Sequence, residues 1–358
     1  MTENHGHPFI SIEGRKIGPG YLPYIIAEMS GNHNGDINRA LRLIDTAKAC
    51  GADAVKLQTY TADTITIDHH APEFIVQGGL WDGCRLYELY QKAHTPWEWH
   101  PIIFERAREI GLTVFSSPFD VTAVDFLAEL GAPAFKIASP EIIDTPLIRY
   151  AASKGKPMII STGMATLDEI ADAVDAARTG GCEDLVLLHC TSAYPALPED
   201  ANLASIADLA DRFRVQVGLS DHTMGMIVPV TCIALGAVMV EKHFTLARAD
   251  GGVDSEFSLE PTELQELVEN TRIAYTSIGT PAHTPVRAEA SVLKNRRSLY
   301  AVAHIPKGAP FTNENIRSIR PANGLPPKML NMVLGRHAMR NICFGEPLSL
   351  DMISEDSE

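Results

Sequence analysis

Eight short apolar runs, each followed by a stretch of helical period, constrain this chain more than any other feature. The first shows the unit. Tyr24-Ile25-Ile26-Ala27-Glu28 leads into Ile37 to Cys50, where Ile37, Leu41, Ile44 and Ala47 share a helical face before Gly51 ends it. Further runs predict strands at Ala54–Gln58, Leu112–Ser117, Ala134–Ser139, Met158–Thr162, Leu185–Cys190, Val215–Ser220 and Val238–His243. Near-continuous apolar strands alternating with amphipathic helices indicate a parallel α/β sheet, and eight repeats predict closure into a (β/α)8 TIM barrel. An open doubly wound sheet is the alternative. It is disfavoured because no glycine-rich phosphate fingerprint follows the first strand.

A barrel needs about 250 residues, and the chain has 358. The barrel is therefore expected over residues 1–279, with a linker over 280–297 carrying Pro281 and Pro285. Residues 298–358 then form a small β-rich domain. That tail contains an internal echo: Ile305 to Phe311 resembles Ile342 to Leu348, and the halves close similarly at Ile316 and Ile353. Two related half-units predict pseudo-twofold structure. The tail also reads as too small to hold much core alone.

A net charge of −15 argues against nucleic acid or an anionic membrane as partner. An anionic substrate would need a locally basic pocket. Cys50, Cys84, Cys182, Cys190, Cys232 and Cys343 form no CxxC pair and read as buried small hydrophobes. With no apolar signal core and no bilayer-length run, the expected compartment is the cytoplasm.

In a barrel, residues at the C-terminal strand ends line the active face. Here nearly every strand ends in reactive side chains, among them Glu28, Lys56 and Gln58, Ser116 and Ser117, Lys136 and Ser139, and Ser161 and Thr162. Thr191 and Ser192, Ser220 to His222, and Glu241 to His243 complete the ring. A single strand-end Ser or Thr is ordinarily a helix cap; convergence on one face points further. Lys56 and Gln58 share a face, as do Lys136 and Ala138. One inward lysine could be an internal ion pair with Glu28 or Glu141. Two on different strands, with hydroxyls nearby, favour a bound anion carrying phosphate and carboxylate. His222 and His243 end neighbouring strands and can share a metal, with Glu28 and Asp254 in reach. Two imidazoles without cysteine suit Mn²⁺ and also accept Mg²⁺, Co²⁺ or Zn²⁺.

The segments EMSGNHNG (Glu28 to Gly35), VKLQ (Val55 to Gln58), SSPF (Ser116 to Phe119) and KIASPE (Lys136 to Glu141) resemble the sialic acid synthase family. STGM (Ser161 to Met164), HCTSAYP (His189 to Pro195), GLSDHT (Gly218 to Thr223) and EKHFT (Glu241 to Thr245) continue the likeness. The tail, with SIRPANG (Ser318 to Gly324), is similar to the antifreeze-like (SAF) domain that closes those enzymes. The resemblance implies metal-dependent condensation of phosphoenolpyruvate with an N-acetylated amino-sugar aldehyde. It implies that Lys56, Lys136, Ser117, Ser139, Ser161 and Ser220 hold phosphoenolpyruvate and that His222 and His243 bind the metal. Glu141 would handle the water proton, and Glu28 and Asp254 would orient the sugar. Gln58, Ser192 and Tyr194 would contact it, with Arg320 reaching across a domain-swapped homodimer. The loops Gly79 to Tyr90 and Arg248 to Ser258, and Ile319 to Pro327, look like the pseudaminate-forming branch, whose acceptor is 2,4-diacetamido-2,4,6-trideoxy-L-altrose. Neuraminate- or legionaminate-forming members are the alternatives. Pro140 departs from the family pattern beside Glu141. A Schiff-base aldolase using Lys136, and an ice- or carbohydrate-binding protein working through the tail, are the rivals from other classes.

Overall fold

A computed structural model describes residues 9–355. Two units emerge, Met1–Gly279 and Thr280–Glu358. The first opens with a hairpin of β1 (Ile10–Ile12) and β2 (Arg15–Ile17), turned by Glu13 and Gly14, both at positive φ. Eight parallel strands follow: β3 (Tyr24–Glu28), β4 (Ala54–Thr59), β5 (Thr113–Pro118), β6 (Phe135–Ile137), β7 (Met158–Ser161), β8 (Leu185–Cys190), β9 (Gln216–Asp221) and β10 (Met239–His243). They close in chain order, with β10 pairing β3. The strands lie where the apolar runs predicted, with ends shifted by one or two residues. At β6 the shift matters, because Ser139 leaves the strand and opens a 3-10 turn, Ser139–Ile143, that carries Glu141.

Alternation sorts each strand into two faces. Outward residues such as Val55, Leu57, Phe135, Ile160 and Val240 join one core with the helices. Inward residues Tyr24, Ile26, Ala54, Phe115, Ala134, Ile159, Val186, Leu188 and Met239 form a second core with Ile10, Ile12 and Ile17 of the hairpin. The hairpin, unanticipated from sequence, thus packs its isoleucines onto the N-terminal end of the barrel interior. The next inward positions are polar, and these form the site.

Helix starts are capped by residues beyond the strand ends. Asp36, Asp120 and Asp144 accept from backbone N–H groups, and Thr166 with Glu169 forms a capping box. Capping therefore does not account for Ser117, Ser139 or Ser161, and their hydroxyls are left for the interior.

The second unit has its own core of Leu299, Ala301, Ile305, Phe311, Ile316, Val333, Ala338, Ile342, Leu348, Met352 and Ile353. This corrects the expectation that the tail holds little core alone. Strands β11 (Ser298–Ala301) and β12 (Ile316–Ile319) pair antiparallel. The sequence echo is structural: Ile305 and Ile342 exchange both backbone hydrogen bonds at 2.9 Å, and Gly308 and Gly345 occupy matching left-handed positions. Phe311 and Leu348, and Ile316 and Ile353, are buried pairs related in the same way. No helix among the described residues is long and apolar enough to cross a membrane. The six cysteines are free; four are buried, but Cys84 and Cys343 are exposed, unlike the all-buried expectation.

Candidate active site

Lys56 on β4 and Lys136 on β6 are 3% and 2% exposed, so each ammonium needs a partner. Lys56 Nζ lies 2.8 Å from Glu28 Oε2, 3.7 Å from Glu241 Oε1 and 3.4 Å from Ser117 Oγ. Lys136 Nζ donates to Ser161 Oγ at 2.6 Å and to the Ile137 carbonyl at 3.1 Å, with Glu241 Oε1 at 3.9 Å. Ser220 donates to the same Glu241 oxygen at 3.2 Å. One carboxylate, on β10, therefore sits between both lysines.

Glu241 stood on the reactive ring in the sequence, but no role was assigned to it there. The signal was available: it is two residues from His243 and so shares its face. Burial opposes its ionisation, but Lys136 and Lys56 outweigh that and hold it below the usual carboxylate range. Burial raises Glu28 despite Lys56, and lowers Lys136 despite Glu241. The internal-pair reading of Lys56 with Glu28 is thus realised here, whereas Glu141 forms no ion pair with either lysine within 4 Å. Burial pushes Glu141 up to about 7, and its Oε2 is buried with no hydrogen-bond partner.

On the same rim, Gln58 Nε2 donates to Glu28 Oε1 at 2.8 Å and to Ser30 Oγ at 3.1 Å, and Ser30 donates onward to Asp254. Ser139 Oγ accepts from Gly163 N at 3.1 Å. A Cβ on Gly163 would collide with Ser192 Oγ and Ser139 Oγ, so only glycine lets the loops after β6, β7 and β8 meet. Lys242 and Asp221 face outward and pair with each other, both bonding Thr223, which locks the ends of β9 and β10 side by side.

The two histidines stand with ring centroids 5.4 Å apart. His222 Nδ1 lies 2.9 Å from the Thr191 carbonyl, a contact that as an N–H donor leaves Nε2 with its lone pair. His243 is driven well below its ordinary pKa by burial and by His222, and its buried Nδ1 has no hydrogen-bond partner although Asp254 Oδ2 is 3.8 Å away. Burial opposes the charged form of His222, but Cys190 and the Thr191 carbonyl raise its pKa above the ordinary value; a divalent cation beside the Asp254 carboxylate would displace that proton and take a lone pair from each imidazole. Among the described residues no ready cluster of three or more protein ligands is gathered, so solvent or substrate oxygens would complete the shell. Tyr194 packs on His222 with centroids 4.4 Å apart, and Phe257 on His243 at 4.9 Å. Arg320 belongs to the second unit, exposed at the end of β12.

A charged floor with two ammonium–hydroxyl pairs, bordered by imidazoles and aromatics at the mouth of a closed barrel, marks a barrel enzyme whose site suits an anion. The NeuB family model matches residues 43–283, and the SAF domain model matches 296–354. The chain belongs to the NeuB family. It is 45% identical over 328 residues to a pseudaminic acid synthase of Campylobacter jejuni, covering 91% of this chain and 95% of that protein. It is 44% identical over 335 residues to the pseudaminic acid synthase of Helicobacter pylori, covering 92% and 98%. The crystal structure of an N-acetylneuraminic acid synthetase from Leptospira borgpetersenii superposes with a TM-score of 0.72 at 33% identity, over 81% of this chain and 96% of that one.

Proposed function

We propose that this chain is a cytoplasmic pseudaminic acid synthase, condensing phosphoenolpyruvate with 2,4-diacetamido-2,4,6-trideoxy-L-altrose and releasing phosphate. The observation that carries the reading is the pair of buried ammonium groups, each beside a serine hydroxyl, inside one acidic protein. Lys136 with Ser161 and Lys56 with Ser117 offer two anion sites, one for the phosphate and one for the carboxylate. Ser139 and Ser220 add hydroxyls. Carbon 3 of the enol attacks the open-chain aldehyde, water adds at carbon 2, and phosphate leaves with its carbon–oxygen bond broken. A divalent metal, Mn²⁺ by the ligand set, would be held by His222 and His243 and would polarise the aldehyde. Glu28, Gln58 and Asp254, joined through Ser30, orient the sugar, with Ser192 and Tyr194 against it. Purified protein given phosphoenolpyruvate and Mn²⁺ should release phosphate fastest with this acceptor; a clear preference for N-acetylmannosamine would overturn the assignment. Lowered basicity of Lys136 would also suit a Schiff-base lysine, but membership of a condensing family decides against it.

Glu141 takes the proton from the attacking water. It works only when ionised, so kcat should rise with pH through about 7 and flatten above. Glu141→Gln should lose that limb and about 10²- to 10⁴-fold in rate. Its folded pKa is raised, so the wild type loses stability from this group as pH climbs from the ordinary carboxylate range to about 7. Melting curves should therefore show the glutamine variant gaining stability at pH 8, by at most about 3 kcal/mol, and little at pH 4. An unshifted pH profile in the variant would remove Glu141 from the mechanism.

The working form is a domain-swapped homodimer in which Arg320 completes the partner's site. Residues 280–297 are exposed along their whole length in the single chain, as expected of a segment that a second protomer covers. Arg320→Ala should fold normally and lose most activity. Mixed with His243→Ala it should regain turnover through hybrid dimers; inactivity after proven subunit exchange would exclude a shared site.

A further inference from the structure

The loop between β4 and the helix Trp99–Ile110 folds into a small hairpin that the reaction so far leaves unused. Ile75 bridges Arg85 antiparallel, Val76 N donates to Cys84 O at 2.9 Å, and Gly83 N donates to Val76 O at 2.9 Å. Gly78, Gly79 and Gly83 hold positive φ at its tip, where Asp82 Oδ1 accepts from Gly78 N at 2.6 Å. These devices fix the position of Trp81, which is half-buried. Its indole Nε1–H donates to the Val253 carbonyl at 2.9 Å, one residue before Asp254, and its ring packs on Tyr194 with centroids 5.6 Å apart. Tyr194 in turn packs on His222 at 4.4 Å and on Phe257 at 5.4 Å. Trp81, Tyr194 and Phe257 thus form one aromatic cluster beside the imidazoles, with Trp81 and Tyr194 partly open and Phe257 buried behind them.

We propose that Trp81 is a specificity-determining residue whose indole takes a methyl group of the sugar acceptor. This rests on the acceptor being an N-acylated amino sugar, as proposed above. The indole face of Trp81 gains nothing from ring hydroxyls, which it would desolvate without bonding; a methyl group fills the space against it. The indole N–H is already spent on Val253, so Trp81 presents carbon to the substrate and no donor. The methyl can come from an acetamido group or from a deoxygenated carbon 6. One methyl in an apolar pocket discriminates by roughly 10- to 200-fold.

The test compares wild type, Trp81→Phe and Trp81→Ala as full-length Mn²⁺-loaded enzymes. Each is assayed with phosphoenolpyruvate and four acceptors: the proposed diacetamido sugar, its 6-hydroxy analogue, its N-formyl analogue and N-acetylmannosamine. The acceptor that wild type uses best is the reference, so a wrong sugar assignment shows in the wild-type row alone. Trp81→Ala should raise KM for the reference acceptor at least tenfold and leave KM for phosphoenolpyruvate unchanged, with Trp81→Phe between. Preference for the 6-deoxy over the 6-hydroxy sugar should collapse if carbon 6 is the contact, and preference for acetyl over formyl if the acyl methyl is. Unchanged acceptor KM, or equal loss against every analogue with both preferences intact, overturns the proposal. Thermal melting of each variant identifies misfolding. Should Trp81→Ala misfold, Trp81→Phe and Trp81→His decide by the same two preferences.

Discussion

Lys136→Met should raise KM for phosphoenolpyruvate by two orders of magnitude or more while barely moving KM for the sugar. Two effects combine. The variant loses a charge-assisted contact to the anion, worth about 1.5–3 kcal/mol. It also leaves Glu241, buried between both lysines, with Lys56 as its remaining cation within 4 Å, so a carboxylate that was neutralised now repels the incoming substrate. Breaking a buried pair costs about 3–5 kcal/mol in general, so some loss of stability should accompany the loss of binding. Lys136→Met with Glu241→Gln separates the two: the double variant should recover melting temperature and the part of the phosphoenolpyruvate affinity lost to repulsion, while the part lost with the ammonium contact stays lost. Steady-state kinetics in both substrates, read beside melting curves, check this. An unchanged KM for phosphoenolpyruvate in the single variant would take Lys136 out of the anion site.

His243→Ala should abolish Mn²⁺ binding, measured directly by calorimetry or by metal content after dialysis, and cut turnover by about a thousandfold. The basis is that electrophilic activation of a carbonyl by a bound cation supplies several kcal/mol. His222→Ala should do the same, although the Thr191 carbonyl would then lose the ring that contacts it at 2.9 Å. The reading fails if either variant, stripped with chelator and given back Mn²⁺, binds it with wild-type affinity.

The barrel was legible in the sequence because parallel strands buried on both faces must read as apolar runs, and β3, β7 and β8 do so almost without interruption. Lys56, Gln58 and Lys136 stood out because a charge inside such a run has no apolar use. Other features were hidden for physical reasons. The β1–β2 hairpin has strands of three residues, too short for a period to register. Alternation puts Glu241 on the face of His243, but its place between both lysines emerges only when β10 is set in register with Ser220 of β9. Trp81 lies in a long loop, where neither helical nor strand period applies and its tertiary contacts with Val253 and Tyr194 assign it a place.

The isoleucines of the N-terminal hairpin give the barrel a blind end, and that fixes the traffic through it. Reactants and products share one doorway. The groups assigned to phosphoenolpyruvate lie at the bottom, with Lys56, Lys136, Ser117 and Ser161 all buried, whereas Gln58, Ser192 and Tyr194 stand partly open at the threshold. A sugar seated first would shut the passage behind it. Loading is expected to be sequential, anion before acceptor, so an unreactive sugar analogue should trap the loaded enzyme and inhibit uncompetitively against phosphoenolpyruvate. Competitive inhibition by such an analogue against phosphoenolpyruvate would mean that the two can enter in either order.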